Sequence, residues 1–356
     1  MKRLISIFMI ITMVFCLSGC AFWMEGERLS ITPHQVNGPQ TDNALISVNT
    51  HNEMNKALVS LVESGAQSGI LTASSFNSGT LHYYVESAIN SVMKSNPIGA
   101  YAVEKINYEI GTNSGIPVIA FEIKYSVERA KILKIKSVDS MDQAWELVKK
   151  ALYNFDSSVV IRVDNYEEKD WMQSLLDFAA VNPHIVMEIP QVVANVYPEK
   201  GKDCVVELSF TYQTNSEELK QMQNKVSPVF TSAELYVMDT VQVNEIYTRL
   251  YAFLMERNTY TIESSITPTY SLLHQGIGDS RAFADVYAEM CRRANLNCQT
   301  VTGTRDGVAW SWNIARYRGV YYHIDLLRCN EEGGFKMYHA DEMVNYTWDV
   351  GAYPAE

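Results

Sequence analysis

Beyond residue 20 the chain has no apolar run long enough to cross a bilayer, no CxxC pair and no surplus of basic residues. Each lack excludes something. Without about 20 consecutive apolar residues, the body of the protein is not expected to span a membrane as a helix. Cys204, Cys291, Cys298 and Cys329 show no metal-ligand spacing, so neither a zinc site nor any other metal or cofactor is expected. Free buried thiols and one disulfide among these four both remain open, with Cys204 the residue expected to stay unpaired. Lysine and arginine number 29 against 41 acidic residues, a formal net charge of -12. That balance argues against a nucleic-acid partner and against broad adhesion to anionic lipid.

What is present suits two or three globular domains with real cores: 356 residues, 47% hydrophobic and 20% charged. Lys2 and Arg3 precede an apolar run from Leu4 to Cys16, which ends in Leu17-Ser18-Gly19-Cys20. The pattern resembles a bacterial lipobox. Residues 1–19 are therefore expected to be a lipoprotein signal peptide, with cleavage before Cys20 and lipidation of its sulfur. A plain signal peptide with an incidental Cys20 is the alternative. Two acyl chains would anchor the protein stably, on the outer face of the cytoplasmic membrane or, in a host with two membranes, on the outer membrane. Residues 20–45 read as a linker.

The pattern then becomes helical (46–100). Met54, Ala57, Leu58, Leu61 and Val62 share one face, as do Tyr84, Val85, Ala88, Ile89 and Val92 between His82 and Lys94. Ser64 to Gly79 between them reads as a loop. Residues 101–237 read as an α+β region. Strands are expected at 108–110, 118–125, 159–163, 185–197 and 204–212, with helices at 141–155 and 171–180. Ser216 is a plausible N-cap for a polar helix that follows. Phe121-x-Ile123-x-Tyr125 matches Leu208-x-Phe210-x-Tyr212 at an offset of 87. Internal duplication explains this, and so would any two amphipathic strands ending in Tyr. His184, beside an apolar strand, reads as structural.

Near the C-terminus runs Gly276-Ile277-Gly278-Asp279-Ser280-Arg281-Ala282-Phe283-Ala284, and a helix to about Ala294. Gly303, Trp310-Ser311-Trp312-Asn313-Ile314 and Tyr322-His323-Ile324-Asp325 follow. In order and spacing these segments resemble the transglutaminase-like superfamily, with its papain-like fold, over about Asn244 to Glu356. The resemblance implies a Cys at the start of the helix, a His opening a His-Ala-Trp-Asn run on a strand, and an Asp on the next strand. Here Ser280 stands at the Cys position and Trp310 at the His position, while Asp325, Trp312 and Asn313 match. The fold class expected is α+β, with a transglutaminase-like domain from 238 to 356.

The two substitutions decide the expected chemistry. A helix N-terminus stabilises a thiolate, and a neighbouring His completes the pair. Serine is far less acidic and needs a base, whereas an indole nitrogen only donates. Ser280 also reads as a good N-cap, and Asp325 as an acceptor for backbone or Asn313 donors. Arg281 and Arg316 near the cleft would favour an anionic ligand, or are solvated surface residues. The first expectation is a pseudoenzyme: a lipoprotein without catalytic residues, whose groove of Ser280, Trp310, Trp312, Asn313 and Asp325 binds a cell-wall peptide or an envelope protein. The alternative is a serine acyl transferase or hydrolase that recruits His323 and Asp325 to Ser280. The ligand and the role of residues 46–237 stay open.

Overall fold

A computed structural model describes residues 45–354. The expected signal peptide, the lipidated Cys20 and all of the linker but Leu45 lie outside them. Among the described residues no helix is long and apolar enough to cross a membrane.

The described residues as far as Thr211 use one pattern twice. Strand β1 (Ile46–Ser47), helix α1 (His51–Glu63), β2 (Ser68–Thr72), α2 (Ser78–Ser95), β3 (Val103–Asn113) and β4 (Ile116–Tyr125) form a sheet in the order β1-β2-β4-β3. Strand β5 (Lys136–Val138), α3 (Met141–Asn154), β6 (Ser158–Val163), α4 (Trp171–Val181), β7 (Gln191–Tyr197) and β8 (Cys204–Thr211) repeat it in the order β5-β6-β8-β7. In each sheet the first two strands are parallel and the remaining pairs antiparallel.

The local chemistry repeats too. Thr50 Oγ1 accepts from Glu53 N at 3.2 Å, while Glu53 Oε2 accepts from Asn49 N at 2.7 Å. Ser140 Oγ accepts from Gln143 N at 3.4 Å, while Gln143 Oε1 accepts from Asp139 N at 3.0 Å. At both helix starts the N-cap side chain accepts from the third helical N–H, and that third residue's side chain reaches back to the N–H just before the cap. The matched Phe121 and Leu208 segments fall on β4 and β8.

Two expectations change here. Ser64 to Gly79 is not wholly a loop, because it contains β2, which pairs with β4. Residues 46–100 are therefore no separate helical segment but half of the first sheet unit. Strand β7 begins at Gln191, so Ile185 to Pro190 lies outside it.

Helix α5 (Ser216–Val237) is capped by Asn215, whose Oδ1 accepts from Glu218 N at 2.9 Å, and not by Ser216. Its buried face, Leu219, Val226, Phe230, Ala233 and Val237, joins the C-terminal core, as do Phe155 and Met187, so that core takes in residues from before the expected boundary at 238. Helix α6 (Val243–Met255), the short parallel pair β9 (Thr259–Tyr260) and β10 (Ile277–Gly278), and the central helix α7 (Ser280–Arg293) follow. A sheet of β11 (Cys298–Arg305), β12 (Val308–Tyr317), β13 (Val320–Ile324) and β14 (Tyr346–Trp348) packs against α7 in the order β13-β12-β11-β14. Two-residue turns of positive φ, at Asp306-Gly307 and Arg318-Gly319, close its hairpins. Cys204, Cys291, Cys298 and Cys329 are all free and buried.

Candidate functional site

The N-terminus of α7 places Ser280 against the middle of β12. Asp279, not Ser280, is the N-cap: its Oδ1 accepts from Ala282 N at 2.8 Å. Ser280 is the first helical residue, and its Oγ accepts from Ser311 N at 3.2 Å. Backbone thus holds the hydroxyl oxygen.

Side chains alternate between the two faces of β12. Asn313 faces α7, donating Nδ2 to Ala284 O at 2.8 Å, so of the two donor sets expected for Asp325 it is backbone N–H groups, not Asn313, that the structure shows. Trp310, Trp312 and Ile314 take the other face, and His323, opposite Ile314 on β13, shares it. His323 packs there against the Trp312 and Trp348 rings. Its Nδ1 accepts from Trp312 Nε1 at 2.9 Å. The grouping of Ser280 with His323 as base finds no support in this arrangement.

Trp310 keeps half of what an imidazole would do. Its Nε1 donates to Asp325 Oδ2 at 2.9 Å. Asp325, 1% exposed, is the hub of the site. Its Oδ1 accepts from Leu327 N at 3.0 Å and Arg328 N at 3.2 Å, capping α8 (Leu326–Glu331). Its Oδ2 also accepts from Tyr346 Oη at 2.6 Å, with Arg305 Nη1 3.7 Å away. Burial, and then the Asp325 carboxylate, pushes the Tyr346 phenol well above its ordinary range, so it stays a donor. Arg305 lies over the Trp310 ring at 5.2 Å, and Tyr260 packs on the same ring at 5.4 Å.

Sequence reasoning named Ser280, Trp310, Trp312, Asn313 and Asp325, and the fold brings them together. It missed Tyr346, Arg305 and Tyr260, which carry no motif. Arg305 is separated from Trp310 only by the β11–β12 turn, and that proximity was the one signal available. Gly303, already noted in the pattern, has a packing reason. A Cβ there would lie 2.0 Å from Thr347 O and 3.0 Å from the Trp312 ring.

The expected groove is filled. Ser280, Trp312, Asn313 and Asp325 leave no space between them for a water molecule. An open cleft of about 300 Å³ lies beside it, where Asp279, Arg281 and Asp285 face Val186, Met187 and Ile266. Arg281 Nε sits 3.4 Å from Asp285, and burial raises the Asp285 carboxyl above its ordinary range despite that charge. Arg316 is elsewhere engaged, over the Tyr321 ring. His184 meets Glu289 at 2.8 Å, as a structural residue would. Among the described residues no cluster of three or more His, Cys, Asp or Glu could hold a metal ion.

The family model of the transglutaminase-like superfamily matches residues 234–335, from the end of α5 to just past α8. Those residues are a transglutaminase-like domain. Solved structures similar to the chain include a TGase, 10% identical, with 54% of this chain and 58% of that one covered and a TM-score of 0.27. A proposed cysteine protease from Cytophaga hutchinsonii is 11% identical, with 44% and 70% covered and a TM-score of 0.27. A proposed protease from Parabacteroides distasonis is 7% identical, with 71% and 39% covered and a TM-score of 0.23. The chain thus spans little more than half the length of the first of these. No curated protein matches it.

Proposed function

We propose that the protein is a lipid-anchored, extracytoplasmic binding module whose transglutaminase-like domain is catalytically silent. The single observation behind this reading is the Trp310–Asp325 hydrogen bond. It preserves the orienting acid but puts a donor-only ring where a base would have to stand. The ring at that position cannot receive the Ser280 proton, and the Ser280 oxygen is held by Ser311 N. The ligand is a peptide or an envelope protein. Its place is the open cleft beside Ser280, where an apolar wall faces Asp279, Arg281 and Asp285.

The catalytic half of the reading is tested with a serine-reactive fluorophosphonate. We expect no labelling of the wild type. Labelling abolished by Ser280→Ala would overturn the silent reading. The double substitution Ser280→Cys with Trp310→His should raise thiol alkylation at neutral pH by about tenfold over Ser280→Cys alone, because only then does the thiolate gain a partner. The binding half is tested by capture from detergent-solubilised envelope, comparing wild type with Arg281→Glu. Equal capture by both would remove the cleft from the proposal.

Anchoring rests on Leu17-Ser18-Gly19-Cys20. Cys20→Ser should move the chain from the membrane fraction to the soluble fraction, since among the described residues no helix is long and apolar enough to cross a membrane. Retention of that variant in washed membranes would show that the attachment is not through this cysteine.

A further inference from the structure

A cavity of about 620 Å³ opens where the two repeated sheet units meet, far in sequence from the transglutaminase-like domain. Small-molecule sites commonly have about this size. Half-buried aliphatic side chains line part of it: Ile135, Leu147, Val159 and Val160. Lys131, Lys134, Lys136 and Lys150 line the rest, and all four are exposed. The lysines that meet a carboxylate among the described residues are Lys124, Lys149 and Lys336. None of the four cavity lysines does.

Three carboxylates share the wall, Glu128, Asp156 and Glu207. Glu207 is engaged by the Tyr101 hydroxyl at 3.4 Å. Burial, with Glu207 next, pushes that phenol up to about 12, so it remains a donor at neutral pH. The cavity therefore carries four cations against three anions, in a chain whose formal net charge is -12. A local excess of one positive charge is the reverse of the chain's general balance, and four lysines that no carboxylate among the described residues contacts within ion-pair distance leave room for an anion to enter.

We infer that this cavity binds a small phosphorylated molecule, with its phosphate on the lysines and its uncharged part on the aliphatic wall. The choice of phosphate follows from the donors. Arginine presents a planar fork suited to paired contacts with a carboxylate, and no arginine lines the cavity. Lysine ammonium groups act as point charges and suit a tetrahedral, multiply charged anion approached from several sides. The apolar wall favours a phosphate that carries a glycerol- or sugar-sized body over a bare ion, so glycerol 3-phosphate should bind more tightly than pyrophosphate. This site is independent of the cleft beside Ser280, so failure of either leaves the other standing.

The test is calorimetric titration of the purified chain with glycerol 3-phosphate and pyrophosphate, with sulfate as a control and phosphatidylglycerol vesicles as a separate arm. We expect saturable binding of both phosphates, and weaker binding of sulfate. Lys134→Gln with Lys150→Gln should weaken the phosphates by about tenfold or more, with an unchanged thermal melt because both side chains are exposed. Lys94→Gln, on α2 outside the cavity, should leave affinity unchanged. Raising salt from about 0.05 to about 0.5 M should weaken binding further. No saturation by about 10 mM phosphate ligand would overturn the inference. So would undiminished binding in the double variant. Binding to vesicles without binding to the soluble phosphates would also overturn it, and would assign the lysines to a membrane surface.

Discussion

Asp325→Ala will destabilise the C-terminal domain by about 3–5 kcal/mol, a larger cost than any other single change at the site. The reason is the number of donors that converge on one buried carboxylate. Leu327 N, Arg328 N, Trp310 Nε1 and Tyr346 Oη all donate to it, with Arg305 beside it. Alanine leaves every one of them without an acceptor, in a place too tightly filled for water to substitute. The start of α8 loses its cap at the same time. Asp325→Asn should cost less, about 1–2 kcal/mol. Its amide oxygen can still accept from Leu327 and Arg328, but its NH2 would face the Trp310 N–H, two donors with no acceptor between them. Urea denaturation of the three proteins checks the order. If Asp325→Ala cost under about 1 kcal/mol, the carboxylate would not be the hub described.

The order of effects also bears on function. Asp325 holds a tryptophan, a tyrosine and a helix start. A residue with that many structural partners resists change whether or not any reaction occurs, so its presence does not by itself signal catalysis.

How far the sequence revealed this arrangement depended on the range of the forces involved. Helices α1 to α4 were legible because their buried faces repeat every three or four residues. Strand β2 was not. It is five residues long, follows a Ser/Gly-rich stretch and exists by virtue of its pairing with β4, 50 residues away. Its Gly69 lets Leu61 of α1 lie on the strand: a Cβ there would meet Leu61 Cδ1 at 2.3 Å. No local pattern encodes that contact. The cap of α7 was missed by one residue because Asp279 and Ser280 are both good caps, and only the extended backbone at Asp279 separates them. At the site, Ser280, Trp310 and Asp325 could be read directly. Their contacts could not, because Trp310 reaches Asp325 through strand register and Tyr346 arrives from the last strand.

Acid will selectively remove the contribution of a second buried carboxylate. Glu289 on α7 is 5% exposed and meets three bases. Oε1 accepts from Arg293 Nε at 2.7 Å and lies 2.8 Å from His184 Nδ1, while Oε2 lies 2.8 Å from Arg292 Nη2. Arg293 also reaches Glu234 at 3.0 Å, so the cluster ties α5, α7 and the segment before β7 together. Burial alone would raise the Glu289 carboxyl, but hydrogen bonds from His184 and Arg293, with the charges of His184 and Arg292, outweigh it and pull the value down from 4.5 to about 2. A carboxyl whose folded value lies below its unfolded value stabilises the fold above the unfolded value. That stability is lost as pH falls through the folded one. Between about pH 4.5 and 2, wild type should therefore lose about 2 kcal/mol through this group, allowing for solvent around its partners. Glu289→Gln should cost about 3 kcal/mol at pH 7, because the bases keep their burial and lose their counter-charge. The difference between the two proteins should shrink steadily below pH 4.5. Denaturant melts of both from pH 7 to pH 3 would show it, and a difference that stays constant over that range would mean Glu289 is not the charge that holds these helices together.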